Sequence, residues 1–213
     1  MYVPDPFVLH DQAAIAGLLR RHSFALLVTA ASGAPQANHL PFLYDPGRGP
    51  KGRLTAHLAR ANPQAAELER LAAEGGEALV VFQGPHAYVS PTWYGAAPAV
   101  PTWNSLAVHA YGTPEIVAEP ARVRAVLERL VGVHESGLAE PWSLDGQKDS
   151  FIAAMIRGIL AFEIPVARLD AKAKLNQNKP AEERLAAAAA LRETGGAQAR
   201  EVAALMESPA FDR

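Results

Sequence analysis

The chain of 213 residues contains no cysteine. Disulfides, thiolate metal sites and thiol nucleophiles are therefore excluded. An excess of positive charge is also missing. Lys and Arg number 20 against 22 Asp and Glu, a formal net charge of −2. Proteins that coat nucleic acid by neutralising phosphates are usually basic, so generic DNA or RNA coating is disfavoured, while a local basic patch stays open. No apolar run approaches the length of a membrane span, and Met1 to Pro6 shows neither a charged start nor an apolar stretch of signal type. The chain thus reads as soluble and cytoplasmic, with no membrane partner. Two nucleotide fingerprints are absent as well. Asp45 to Gly52 is rich in Gly and Pro, but no Gly-Lys-Ser/Thr and no helix start follow, so it reads as a hairpin turn. Gly47-Arg48-Gly49-Pro50-Lys51-Gly52 has the bare Gly-x-Gly-x-x-Gly spacing, but with no helix start after it no dinucleotide fingerprint is formed, which argues against a Rossmann site.

What is present is enough apolar material, 49% of residues, for one large core. Asp11 can cap a helix to about His22. Ser23 to Ala31 reads as a strand, Ser32-Gly33 as a turn, and Pro35 to Tyr44 as the return strand. Arg53 to Leu58 is a third strand. Asn62-Pro63 opens a helix running to about Glu74, with Asn as cap and Pro in the first turn. Glu77 to Gln83 is a buried-type strand, which Gly84-Pro85 is expected to break before another begins at His86. Pro101 to Val117 reads as one long strand, with Gly112 and Pro114 marking a bulge or bend. Helices follow at Pro120 to Val133 and Gln147 to Arg157, then a final strand at Ile159 to Val166. Glu182 to Arg192 and Ala197 to Met206 form an Ala-rich helical pair split by Gly195-Gly196. About six strands with peripheral helices point to a mixed α+β, mainly β, barrel.

Three stretches concentrate polar chemistry. In His57-Leu58-Ala59-Arg60-Ala61-Asn62-Pro63 a strand end, an arginine and a capped helix start fall within seven residues. A helix N-terminus offers backbone N–H groups and a positive dipole end, and Arg60 adds a forked cation suited to phosphate oxygens. Taken alone, an ordinary strand-to-helix loop with a surface arginine explains it better. Phe82 to Tyr94 and Val100 to Asn104 interleave aromatics with small polar residues, which suits a flat heteroaromatic ligand; an isolated Trp93 or Trp103 would more simply be a core residue.

These stretches, together with Pro6-Phe7, His39-Leu40-Pro41 and Lys174-Leu175-Asn176-Gln177-Asn178-Lys179, resemble the PaiB family of FMN-binding negative transcriptional regulators. The resemblance runs in order from Tyr2 to about Leu191. Asn176 stands where serine is common, and Leu58 where valine is common; both changes are mild. The resemblance implies a split β-barrel related to pyridoxamine-phosphate oxidases and flavin reductases, a single domain over 1–213 with residues 180–207 as a C-terminal helical appendage. It implies a homodimer with FMN at the subunit interface. Asn38, His39, Leu40 and Pro41 would line the flavin. Ala56, His57, Arg60, Ala61 and Asn62 would hold the ribityl phosphate. Gln83, Trp103 and Asn104 would complete the pocket, with Lys174, Gln177 and Asn178 near its mouth.

Other signals are weaker. His39, His57 and His109 fall on expected strands and could converge on a haem or metal, but scattered hydrogen-bonded histidines explain them better, and no pair has zinc-site helical spacing. Ser90 and Ser105 lack a nucleophile elbow. Lys174 and Lys179 read as a solvated turn. From Ala181 onward there are four Arg and six acidic residues, the wrong balance for a DNA-reading helix. Three functions follow in order: a flavin protein with redox or sensing activity, such as an FMN-dependent oxidoreductase; a flavin-carrying repressor with DNA or a regulatory protein as partner; and a haem-binding split barrel. No catalytic residue is named.

Overall fold

The computed structural model describes residues 1–95, 97–208 and 211. The chain is mixed α+β, mainly β, with two antiparallel sheets. Its elements are α1 (Gln12–Arg21), β1 (Phe24–Thr29), β2 (Gln36–Pro41), β3 (Leu43–Asp45), β4 (Arg53–Ala59), α2 (Gln64–Glu74), β5 (Ala78–Val89), β6 (Thr102–Gly112), β7 (Glu115–Val117), α3 (Pro120–Glu135), α4 (Asp149–Arg157), β8 (Ile159–Pro165), β9 (Arg168–Lys174), α5 (Ala181–Thr194) and α6 (Ala197–Glu207). One sheet has the order β2-β1-β5-β6-β9, the other β3-β4-β8-β7. Among the described residues no helix is long and apolar enough to cross a membrane. Two compact units are distinguishable. The first comprises Met1–His22, Phe82–His109 and Asp170–Arg213; the second comprises Ser23–Val81 and Ala110–Leu169.

In the second unit, the expected return strand from Pro35 to Tyr44 is in fact two strands. β2 pairs with β1, while β3 pairs with β4 in the other sheet. The chain changes sheets at buried Phe42, whose N–H donates to Ser23 O at 2.8 Å and whose ring meets Phe162 edge-on at 6.1 Å. The expected long strand from Pro101 to Val117 also divides. A Cβ on Gly112 would lie 2.1 Å from Pro165 O, so only glycine lets the backbones pass there. Pro114 follows, and β7 then pairs with β8. α3 starts with Pro120 in its first turn and lays Val123, Val126 and Leu130 on Leu43, Val117 and Ala161 of the four-stranded sheet. The Asp45 to Gly52 segment is the β3–β4 hairpin connection, as read from its composition.

In the first unit Asp11 Oδ1 accepts from Ala13 N at 2.8 Å and caps α1, as expected. Two readings need correction. Gly84-Pro85 does not break the strand, because β5 runs through it. Both residues are buried in succession, so the in-out alternation slips by one there, as at a bulge. A Cβ on Gly84 would sit 3.0 Å from Leu106 Cβ, which explains the small residue. The strand ending near Val166 is not the last one either. β9 follows, and its inward positions are only Ala171 and Ala173 between charged neighbours, too faint a pattern to read.

Glu163 on β8 is 4% exposed and sits among cations of the second unit. Arg48 grips it with two nitrogens at 2.5 and 3.1 Å, Arg53 donates at 3.0 Å, and Arg122 lies at 3.6 Å. Burial works to raise its pKa, but the hydrogen bonds and charges of Arg48 and Arg53 win and hold it below the ordinary carboxylate value. A carboxyl whose pKa is lowered by folding stabilises the fold above its unfolded pKa of about 4.3 and loses that contribution as the pH falls through the folded value. Glu163→Gln should therefore cost about 1.5–3 kcal/mol at neutral pH and flatten the acid limb of stability. Urea unfolding between pH 7 and pH 3 checks both; an unchanged acid limb would show that Glu163 is not the group that titrates.

Candidate phosphate corner and aromatic ledge

β4 turns into α2 through residues 60–63. Arg60 N donates to Gly158 O at 2.8 Å, and Asn62 N to Ala59 O at 2.9 Å. Asn62 also caps the helix: its Oδ1 accepts from Gln64 N at 3.0 Å and its O accepts from Ala65 N at 2.8 Å. The first-turn amides of Gln64 and Ala65 are thus already used. What the corner offers an anion is the dipole end of α2 and the Arg60 guanidinium. That group is 54% exposed, held by a 3.2 Å contact to the equally exposed Glu69. Such surface pairs contribute about 0–1 kcal/mol, so a phosphate ester can displace Glu69 at little cost. Ala61 is exposed beside it.

Asn38 is drawn to the same corner by Gln64, a residue that sequence reasoning passed over. Gln64 is fully buried. Its Oε1 accepts from Asn38 Nδ2 at 2.9 Å, and its Nε2 donates to Leu27 O, Thr29 Oγ1 and Gln36 O, each at 3.2 Å. One carboxamide therefore ties the start of α2 to β1 and β2. Nearby, Glu67 accepts from Ala31 N at 2.7 Å and from Ser32 Oγ, holding the hairpin turn to the same helix. The Ser32 bond chiefly lowers the Glu67 pKa, against the effect of burial.

The other expected residues of this unit separate by strand geometry. Neighbours on a strand face opposite ways. Ala56 is buried in the core, and His57 points away from it. His57 Nδ1 is buried without a partner, as is Thr55 Oγ1 two residues earlier on the same face. Burial pushes the His57 pKa down, so the ring is neutral at neutral pH. On β2 the half-buried Asn38 and Leu40 alternate with exposed Ala37 and His39, and Pro41 is half-buried. His39 stacks on Phe24 at 5.7 Å. His39 and His57 lie in different sheets. Among the described residues no group of three or more His, Cys, Asp or Glu could hold a metal.

In the first unit, Trp103 is 58% exposed and meets His86 at 6.2 Å and Tyr88 at 6.1 Å. Gln83 joins this ledge through a 3.3 Å contact from Nε2 to His86 Nδ1. Asn104 faces the other way: it is fully buried, with Nδ2 donating to Met206 Sδ at 3.3 Å. Lys174 donates from Nζ to Thr102 Oγ1. Partial burial, then Lys172, lowers its pKa. The segment after it is a built turn rather than a solvated one. Leu175 and Asn176 are buried, and Asn176 takes a left-handed φ of 63°, tolerated by Asn. Gln177 spends Oε1 on Leu175 N and Nε2 on Ala173 O, both at 2.7 Å. Asn178 is exposed. A groove of about 650 Å³ in the second unit, between Glu69, Ala73, Pro114 and Ile116, contains none of the expected residues.

Comparison with known proteins decides the family. Residues 1–168 match the family described as "Putative FMN-binding domain". Over 207 residues the chain is 32% identical to the protease synthase and sporulation protein PAI 2 of Bacillus subtilis, covering 97% of each. The chain belongs to the PaiB-type FMN-binding-domain family. Two solved structures are similar in fold. The FAD and heme binding protein from Mycobacterium smegmatis has a TM-score of 0.58 at 21% identity, covering 84% of this chain and 78% of that one. The conserved hypothetical protein Rv2991 from Mycobacterium tuberculosis has a TM-score of 0.59 at 14% identity, covering 84% and 94%. The family member described here thus has the split-barrel fold class, mixed α+β and mainly β.

The Gln64 carboxamide suggests a direct test in this family member. Gln64→Leu keeps the volume but leaves Leu27 O, Gln36 O and Asn38 Nδ2 without their buried partner. A destabilisation of about 2–4 kcal/mol is expected in chemical unfolding. A change below about 0.5 kcal/mol would mean that water replaces the amide.

Proposed function

We propose that this chain binds FMN as a homodimer, with the ribityl phosphate taken at the corner between β4 and α2. The family assignment supports FMN as the ligand class. The observation that carries the phosphate assignment is Arg60, an exposed guanidinium at a helix N-terminus whose present partner is a weak surface carboxylate. Asn62 holds the turn and Gln64 sets Asn38 beside it. The orphaned Thr55 Oγ1 and His57 Nδ1 are consistent with a neighbouring polar ligand. Taken by itself, the first unit carries a ledge of His86, Tyr88 and Trp103 that offers ring faces and edges to a planar heterocycle. When bound, FMN supplies redox chemistry; the chain binds it, orients it and keeps water off the ring.

A second copy is proposed because the outer face of β1 and β2 is apolar yet uncovered. Phe24 is 67% exposed, with Leu26, Val28 and Pro41 half-exposed beside it. A regulatory role would act through the flavin or a protein partner rather than through direct DNA contact by α5 and α6, given their acidic balance.

Arg60→Ala should weaken FMN binding by about 1.5–3 kcal/mol, read as a ten- to hundredfold rise in Kd in a flavin fluorescence titration. Unchanged affinity would remove Arg60 from the phosphate. Sedimentation of the FMN-loaded protein should give a dimer; a loaded monomer contradicts the second copy.

A further inference from the structure

The groove of about 650 Å³ in the second unit lies between α2 and β7, the last strand of the four-stranded sheet. Its size is that of a small-molecule site. Much of its lining is apolar, with Ala72 and Ala73 on the helix side and Ile116 on the strand side. Its hydrogen-bonding character is one-sided. Pro114 and Pro165 line it and have no N–H. The Ala167 N–H donates to Tyr111 O at 2.9 Å, and the Thr113 hydroxyl to Gly75 O at 3.4 Å. The charged side chains are both carboxylates, Glu69 on the helix wall and Glu115 on the strand wall, and among the described residues no Lys, Arg or His lines the groove. Acceptors with few donors select a ligand that donates, and apolar walls select one with an apolar body.

Each carboxylate meets an arginine outside the groove. Glu115 meets Arg53, which also donates to buried Glu163 at 3.0 Å and is fixed by it. Glu69 meets Arg60 at 3.2 Å, and both members of that pair are half exposed. The second pair is the one that can open. Arg60 thus stands between two places in one unit, the start of α2 and the groove. We infer that the groove binds an organic ammonium ion with an apolar body, that Glu69 is its counter-charge, and that Arg60 controls this carboxylate. An anion taken at the β4–α2 corner draws the guanidinium off Glu69, which then faces the groove with its full charge. By linkage the effect is reciprocal: a cation on Glu69 releases Arg60 to the anion. The coupling is bounded by what an exposed ion pair supplies, about two- to fivefold in affinity. Its response to FMN rests on the function reading; the groove and its control by Arg60 do not.

The probe is benzylammonium, compared with uncharged benzyl alcohol at fixed ionic strength and followed by the amide NMR shifts of Ala72, Ala73, Thr113 and Ile116. Benzylammonium should shift these amides and bind about three- to fivefold more tightly than the alcohol. Glu69→Gln should bring the two probes to equal affinity. Ala73→Leu fills the groove from an exposed helix position and should abolish binding of both. Arg60→Ala should tighten benzylammonium binding about two- to fivefold with no anion present, and should have no effect in the Glu69→Gln background. FMN should reproduce the tightening in the wild type only. Absent shifts, equal binding of the two probes by the wild type, or an Arg60→Ala effect that is missing or survives Glu69→Gln overturns the inference. Tightening by Arg60→Ala without any response to FMN removes the phosphate from Arg60 and leaves the groove standing.

Discussion

The buried carboxamide of Gln64 is the tie on which the corner depends. It sits at the first position of α2, and its four hydrogen-bond contacts all end on β1 or β2. Without it the helix start would have only apolar contacts to fix its rotation against the hairpin, and these are weakly directional. With it, the dipole end of α2, the Arg60 turn and the Asn38 side chain occupy fixed places. Glu67, one helical turn on, repeats the device by gripping Ala31 and Ser32. A loop between two strands is thus held at both its ends by one helix.

Much of the secondary structure was legible because periodicity and caps agree. Asp11 and Asn62 cap where their residue types say they should, and both helices of the C-terminal pair stand on either side of the glycines that divide them. The failures are all in strands, and each has a tertiary cause. At Phe42 and at Gly112 the chain leaves one sheet for another without losing extended character, so no local signal marks the switch. Gly84-Pro85 looks like a break, but a bulge absorbs it because a neighbouring strand crowds the backbone too closely for a side chain. β9 carries alanines where a strand usually shows larger apolar groups.

The candidate site was legible in its exposed cation and its cap, and obscure in everything that orients them. Arg60 and Asn62 could be named from a strand end meeting a helix start. The expectation of free helix N–H groups was too generous, since Asn62 itself consumes two of them. Gln64 gave no signal, because a glutamine in a first helical turn is ordinarily solvated. Its burial depends on strands about 30 residues away in sequence. Ala56 and His57 were given together by the family resemblance, and the strand sends their side chains to opposite faces.

The buried polar groups of this protein fall into two kinds. Gln64, Glu67 and Glu163 are saturated: each has at least two partners, and those partners come from elements distant in the chain. Their desolvation is repaid locally, and they serve to register one element against another. Thr55, His57 and Asn104 are half-served, each with a buried atom that meets nothing suitable. All three lie on strands, where the backbone ladder fixes the side-chain direction and relaxation away from an unfavourable setting is small. His57 and Asn104 are among the residues that the family resemblance implies for the flavin nucleotide, and Thr55 is next to another, Ala56. A chain selected for stability alone would fill such positions with valine or leucine, as the neighbouring Leu54, Leu58 and Leu106 already do.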